Sequence, residues 1–232
     1  MTTVEISGVI YPVTVTRKRV KNLNLRVNGD GEISVSLPYS VSMRVVDAFL
    51  KEKKEWIAHA LGKVQAKEEL IHIGDGDDYA YYYGKKYPLE VKCALPACFK
   101  EEDGKLIMHT PYRDPEDVEM EFYFLASDSL RAIVKKHAID LNKRVCDPNH
   151  LVHPSITLKY MTSRWGSCTP AKHHISLSYR LMHFPEGCIA YVMLHEYAHL
   201  LVPNHSKAFY DVVRQYMPDY EVYRKMMKQE VV

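Results

Sequence analysis

The sequence contains no run of apolar residues near the roughly 20 that a helix needs to cross a bilayer. Its first residues, MTTVEISGVIYPV, also lack the basic stretch and following apolar stretch of a secretion signal. These absences predict a chain that is not exported and has no membrane partner. The expected location is the cytoplasm.

Cysteines are few and are not arranged in pairs. The five of them contain no CxxC motif: Cys93, Cys98, Cys146, Cys168 and Cys188. An odd number of scattered cysteines does not suit a disulfide framework. The pattern favours free thiols in a reducing compartment, in agreement with a cytoplasmic location.

Charge of one sign is not in excess. The chain has 31 Lys and Arg against 29 Asp and Glu, a net charge of +2, which by itself indicates neither a nucleic acid nor a membrane partner. One segment is locally basic, through Arg17, Lys18, Arg19, Lys21 and Arg26. On a predicted strand these charges are typical of a solvated edge strand. The alternative is a surface for an anionic partner such as nucleic acid.

The N-terminal part of the chain has the pattern of a β-rich region. Alternation over residues 4–37 predicts two or three antiparallel strands, with a hairpin turn at residues 28–31. From Ser42, a residue type that caps helices, the apolar period lengthens and predicts a helix to Leu61. Residues 70–110 return to strand patterns, and we expect them to extend the first sheet.

The C-terminal part of the chain is mainly helical. Asp114-Pro115-Glu116 is typical of a helix start, and the apolar spacing predicts one long helix to about residue 146. Two short strands at 156–160 and 175–178 flank a turn-rich segment, and helices are predicted at 185–201, at 206–217 and after 218. The fold class predicted is α+β, with an antiparallel β-rich N-terminal region at 1–112 and a second domain at 113–232.

The most informative motif is His195-Glu196-Tyr197-Ala198-His199, an HExxH pattern inside an apolar helical stretch. On a helix the two histidines lie about 40° apart around the axis and about 6 Å apart along it, so one face presents both imidazoles to one ion. Glu196 lies beside that face, where its carboxylate can reach a metal-bound water without becoming a ligand. The alternative is a buried helix whose histidines are satisfied within the core.

Zinc in a catalytic site takes three protein ligands and leaves the fourth position for water. His205 is the predicted third ligand, because Pro203 cannot extend the helix and Asn204 tolerates a left-handed turn that would return the next ring to the metal. A carboxylate from a later helix is the alternative third ligand. The candidates are Glu221 and Glu230.

Three further features near the motif allow two interpretations each. Arg164 is a candidate for binding an anionic substrate group or an oxyanion, or is a surface arginine. Trp165 is a candidate substrate-binding residue next to the metal, or a buried residue of a hairpin. Cys168 with His173 or His174 would make a thiol hydrolase, although no feature of the sequence orients such a pair.

Three segments of the C-terminal half match a known family, namely Trp165-Gly166-Ser167-Cys168, residues 191–200 around HExxH, and Asn204-His205-Ser206 with Phe209 and Pro218-Asp219. On these residues the chain resembles the YgjP-like metallopeptidases, a zincin family related to SprT-type and Wss-type proteases. The opening RKRVKNLNLRV, Pro38 and Trp56 also fit. Tyr197 departs from the family, whose members often have leucine there.

The resemblance implies a zincin-like catalytic domain in which His195, His199 and His205 hold Zn²⁺ and Glu196 is the catalytic acid/base. It implies a zinc metallopeptidase acting on a peptide or protein substrate. Relatives have also been described as nucleotide pyrophosphohydrolases acting on UTP, and this is the alternative. A second alternative is a non-catalytic nucleic-acid-binding module with structural zinc.

Overall fold

The computed structural model describes residues 2–28, 31–65, 69–74 and 76–229, and these form two compact units. The first is built mainly from residues before 69, and the second covers residues 69–227. The sequence-based boundary at 112/113 therefore falls inside the second unit. The reason is that strands before residue 112 contribute Ala80, Tyr87 and Leu106 to the same core as the later helices.

The first unit contains a four-stranded sheet of β1 (Thr2–Ile6), β2 (Val9–Arg17), β3 (Asn24–Val27) and β4 (Ile33–Leu37) in the order β1-β2-β4-β3. The hairpin pairs β1/β2 and β3/β4 are antiparallel, whereas β2 and β4 are parallel, with Val15 opposite Val35. The antiparallel pairs agree with the predicted β-rich region, but the sheet has four strands instead of two or three and contains one parallel pairing. Two residues of the predicted turn at 28–31 lie outside the described residues.

Two helices of the first unit replace the single helix predicted from Ser42. They are α1 (Met43–Glu52) and α2 (Lys54–Gln65), and Lys53 separates them. Ser42 stands at the N-cap position, but its side chain makes no capping hydrogen bond. The apolar stripe of Val46, Leu50 and Ile57 is buried and forms one core with β1, β2 and β4.

The strands between residues 70 and 110 form a sheet of their own, so the expectation that they extend the first sheet was wrong. Its strands are β5 (Ile71–His72), β6 (Tyr79–Tyr82), β7 (Lys85–Cys93), β8 (Cys98–Glu102) and β9 (Lys105–Thr110), in the order β5-β6-β7-β9-β8. Leu89 and Met108 of this sheet are buried in the core of the second unit, where they pack with apolar side chains of the helices that follow.

The predicted long helix after Asp114 is divided into two. These are α3 (Pro115–Leu125) and α4 (Ser127–Leu141), the latter continuing as a π-helical turn over Asn142–Cys146. Asp114 caps α3 as predicted, since its carboxylate accepts a hydrogen bond from the Glu116 amide at 3.0 Å. Ala126 separates the helices, and both bury apolar side chains in one core.

The last part of the chain carries a three-stranded sheet and three helices. Strands β10 (Ser155–Lys159), β11 (Gly166–Thr169) and β12 (His174–Ser178) have the order β10-β12-β11, with β11 at one edge. The helices are α5 (Glu186–Ala198), α6 (Lys207–Tyr216) and α7 (Tyr220–Gln229). Strand β11 was not predicted. No helix among the described residues is long and apolar enough to cross a membrane.

Candidate functional site

Helix α5 carries the first part of the HExxH motif in its last turn. Most of its side chains are buried and apolar, including Met193 and Leu194 immediately before the motif. His195 and Glu196 belong to the helix, and His199 is the residue that caps its C-terminal end. Packing of the apolar helix in the core of the second unit therefore fixes the direction in which these polar side chains project.

A tight turn after α5 brings His205 back to the two earlier histidines. The amides of Leu200, Leu201 and Val202 bond carbonyls of the last helical turn, which closes the helix end. His205 then stands just before α6, and the Nε2 atoms of His205 and His195 are 2.9 Å apart. One nitrogen from each of His195, His199 and His205 lies within 4.8 Å of the others. The three histidines form one convergent group.

The protonation of His195 and His199 suits metal binding. Burial, and then the neighbouring His199 and His205, lower the pKa of His195 to about 3. The pKa of His199 is also lowered by burial. Because the Val202 carbonyl only accepts, His199 Nδ1–H donates to it at 3.2 Å, which leaves Nε2 with its lone pair. Three imidazoles with converging nitrogens are a donor set that fits zinc.

A single aromatic ring supports all three histidines from behind. The Phe209 ring of α6 is fully buried, and its centroid lies 4.8 Å from that of His195, 4.6 Å from His199 and 4.9 Å from His205. Close packing of this kind limits the rotamers of the imidazoles. Phe209 is therefore a positioning residue for the convergent group.

The carboxyl group of Glu196 is buried next to the histidines. The residue is only 6% exposed, and burial raises its pKa to about 7. The guanidinium of Arg164 and a hydrogen bond from the Cys168 backbone amide oppose this rise. A carboxyl group whose pKa lies near neutral pH can both accept and release a proton there.

Gly166 of β11 makes room for that carboxyl group. A Cβ atom at this position would lie 2.7 Å from Oε1 and 2.9 Å from Cγ of Glu196, closer than real side chains approach each other. Gly166 pairs with Leu177 of β12, so the strand backbone is fixed at this point. The absence of a side chain at residue 166 is what lets Glu196 lie against the strand.

The histidines and Glu196 open onto a cleft of about 580 Å³. Its other lining residues come from the loop before β11, from β11 itself and from the two turns nearby: Ser163, Arg164, Gly166, Ser167, Cys168, Pro170 and Pro203. Of the two predicted substrate-binding residues, Arg164 therefore lies in the cleft. Trp165 is not among the lining residues, and its ring packs edge-on against Phe184 at 4.8 Å.

The sequence profile of a protein family described as "YgjP-like, metallopeptidase domain" matches residues 21–230, which is nearly the whole chain. The chain belongs to the YgjP-like family. Its membership confirms the resemblance found in the sequence and implies a metal-dependent hydrolase. No curated protein matches the chain significantly.

Of the rival third ligands of the YgjP-like site, Glu221 is separate from the histidines. Glu221 does not belong to the convergent group, and it accepts a hydrogen bond from Tyr220 and lies 4.0 Å from Arg214. Glu230 lies outside the described residues. Among the described residues, the geometry therefore favours His205 over a carboxylate.

The thiol and histidines near the YgjP-like site do not form a nucleophilic pair. Burial, followed by the charge of Glu196, raises the pKa of the Cys168 thiol to about 11, which disfavours the reactive thiolate. His174 instead has the Ser155 hydroxyl 2.9 Å from its Nδ1. These contacts argue against a thiol hydrolase.

The basic residues between positions 17 and 26 of this YgjP-like chain differ in their surroundings. Arg17 donates to the backbone carbonyls of Tyr39 at 2.7 Å and Val41 at 2.9 Å, so its guanidinium joins the end of β2 to the segment after β4. The other basic residues of the segment are exposed: Lys18, Arg19, Lys21 and Arg26. Of these, Arg26 lies on the edge strand β3. Charged edge strands of this kind resist pairing with other chains.

Sequence reasoning missed the roles of Gly166 and Phe209. A glycine inside a strand signals close approach of another group, which would have pointed to Gly166 had β11 been recognised. Phe209 fits the apolar spacing of α6 and looks like any core residue. Only the three-dimensional contacts distinguish it.

Proposed function

We propose that this chain is a zinc-dependent peptidase with a zincin-like site in its second unit. His195, His199 and His205 would hold the ion, and Glu196 would be the general base. The observation that carries the proposal is that three imidazoles and one buried carboxyl group meet at the same cleft. A structural zinc site is normally closed by four protein ligands, whereas this group offers three.

When bound, zinc would polarise a substrate carbonyl and lower the pKa of a water molecule toward about 7. The residues of the chain perform the remaining tasks. The Glu196 carboxylate accepts the proton of the attacking water and then delivers it to the leaving amine. Gly166 and the Cys168 amide keep that carboxylate in place, and Phe209 keeps the imidazoles in place.

The composition of the cleft favours a peptide over a nucleoside triphosphate. Arg164 is the one cationic side chain among the described residues that line it. A triphosphate carries several negative charges, and sites for it use several cationic groups or backbone amides to balance them. Hydrolysis of UTP nevertheless belongs in the test, because it would use the same water and the same base.

The decisive experiment compares Glu196→Gln with Glu221→Gln, which makes the same chemical change at a glutamate outside the group. We expect Glu196→Gln to keep about one zinc per chain, since it removes no ligand, and to lose about a hundredfold or more in turnover, because the base is gone. Glu221→Gln should keep both the zinc content and the turnover of the wild type. Metal analysis and a panel of peptides, crosslinked proteins and UTP provide the readouts.

Near-normal turnover by Glu196→Gln would remove Glu196 from the mechanism. Turnover of UTP but of no peptide, lost in Glu196→Gln, would replace the peptidase by the pyrophosphohydrolase. Zinc binding without any hydrolysis, together with salt-dependent DNA binding, would support the non-catalytic module.

A further inference from the structure

The loop that carries Arg164 is held by the last residue of β12 and by Arg180, which follows the strand. The Ser178 hydroxyl donates to the Met161 carbonyl at 3.1 Å, and the Ser178 amide donates to the Trp165 carbonyl at 2.9 Å. Arg180 donates to the Thr162 carbonyl at 3.2 Å. These bonds lie on both sides of residue 164, so its backbone is fixed before any ligand arrives.

Trp165 adds a second restraint directly beside Arg164. Its ring packs against Phe184, and the guanidinium of Arg180 lies 5.2 Å from its centroid. Cation–π contact and edge-to-face packing both restrict the ring. Trp165 therefore supports the loop from the protein side, while Arg164 lines the cleft.

The Arg164 side chain contrasts with the loop that carries it. It is exposed, and it forms no hydrogen bond or ion pair with any residue that the structure describes. Arg17, Arg144 and Arg180, by comparison, bind backbone carbonyls. Arg164 thus keeps all its donors free on a backbone that is held in place.

Arg164 interacts electrostatically with one carboxyl group of the cleft, since its guanidinium opposes the rise in the pKa of Glu196, but no hydrogen bond or ion pair joins these two residues. Glu196 is the one carboxylate among the described residues that line the cleft, and it is buried against Gly166 and bonded to the Cys168 amide. Ser163 and Ser167 of the lining offer hydroxyl groups. A planar guanidinium with free donors matches the paired oxygens of a carboxylate or a phosphate.

We infer that Arg164 binds an anionic group of the substrate, a carboxylate or a phosphate, beside the reacting bond. The inference deepens the proposed function, because it restricts the substrates of the same cleft to those with such a group within reach. A peptide would supply its C-terminal carboxylate or an acidic side chain. A phosphorylated substrate would supply the phosphate.

The test measures binding, so it does not depend on turnover. The zinc-loaded protein is titrated by calorimetry with inorganic phosphate, with N-acetyl-dialanine and with the amide of N-acetyl-dialanine, which lacks the carboxylate. Trp56 and Trp165 are the two tryptophans of the chain, so in a Trp56→Phe background the fluorescence of Trp165 reports on binding next to Arg164.

We expect saturable binding of phosphate or of the free dipeptide, and a change in Trp165 fluorescence at the same concentrations. Arg164→Gln should weaken that binding about tenfold or more, as loss of a charge-assisted hydrogen bond does. Arg164→Lys should recover part of it. Arg113→Gln removes one positive charge from an exposed position outside the cleft and should change nothing.

Equal affinities of wild type and Arg164→Gln for both anions would overturn the inference, and so would the absence of saturable binding. Preference for the dipeptide over its amide identifies a carboxylate as the group recognised, and preference for phosphate identifies a phosphate. The same titrations on Glu196→Gln separate the two proposals. If peptides are not hydrolysed but anion binding depends on Arg164, the peptidase proposal fails and this inference stands.

Discussion

The two units of the chain differ in what they bury. In the first unit every fully buried side chain that the structure describes is apolar, as in the group Ile33, Val35 and Leu37 of β4. The second unit buries a larger apolar core and also six polar residues: Thr110, Ser127, Ser176, Ser178, His183 and Glu196. Burying a polar group costs free energy unless it has a partner.

The difference shows where the fold accepts that cost. Glu196 faces the cleft, and Ser178 holds the Arg164 loop, so two of the six polar residues serve the candidate site. His183 instead joins elements, since Tyr123 OH lies 2.8 Å from its Nε2 and its Nδ1–H donates to the Tyr81 carbonyl. Buried polar residues thus identify the unit that carries the chemistry, but they do not identify each catalytic group.

Removal of a predicted ligand should give the largest difference between a substitution in the second unit and one in the first. We expect His205→Ala to weaken zinc binding at least about a hundredfold, more than changes beside a ligand usually do, and to abolish turnover. The matched control is His59→Ala, an exposed histidine of α2 in the first unit. Metal analysis after dialysis against a chelator measures the effect. Full zinc content in His205→Ala would exclude His205 as a ligand.

Two glycine substitutions distinguish a residue of the cleft from a residue of the first unit. Gly166→Ala should push the Glu196 carboxylate away and lower turnover about a hundredfold, because small displacements of catalytic groups have effects of that size. Gly62→Ala in α2 meets no atom within 4 Å. It should leave turnover unchanged and stabilise the helix by up to about 1 kcal/mol. Equal turnover in the two variants would contradict the assigned role of Gly166.

The buried His183 should give the second unit a stability that depends on acidity. Burial lowers its pKa from 6.5 to about 4, so the unfolded chain binds the proton more readily. The contribution of His183 to the free energy of unfolding is complete above pH 6.5 and is lost as the pH falls toward 4. The loss amounts to about 2 kcal/mol by pH 5. Urea unfolding of wild type and His183→Gln measures the difference.

His59→Ala should keep the wild-type dependence on pH, because it removes an exposed histidine. His183→Gln should flatten that dependence between pH 6.5 and 4. Parallel curves for wild type and His183→Gln would mean that His183 can be protonated without cost in the folded chain.

The parts of the site that depend on local geometry were predictable from the sequence. The spacing of His195 and His199 places both on one helical face, and the turn after Val202 is short enough to return His205. The cap of α3 by Asp114 was predictable for the same reason, since the contact spans only two residues. Such features are set by neighbouring residues and by backbone geometry.

The parts that depend on distant residues were not predictable. Strand β11 reads Gly-Ser-Cys-Thr, a sequence with low strand propensity, and it exists because it pairs with β12. The parallel pairing of β2 with β4 likewise joins residues separated by another strand. Arg164 could be named as a candidate, but the bonds that fix its loop come from Ser178 at the end of β12 and from Arg180 after it.

Phe209 has a consequence for how this centre can change over time. Because one ring packs against all three imidazoles, a replacement of Phe209 should shift them jointly and not one at a time. A change in metal preference would therefore be reached more easily by substituting residues that line the cleft than by substituting Phe209.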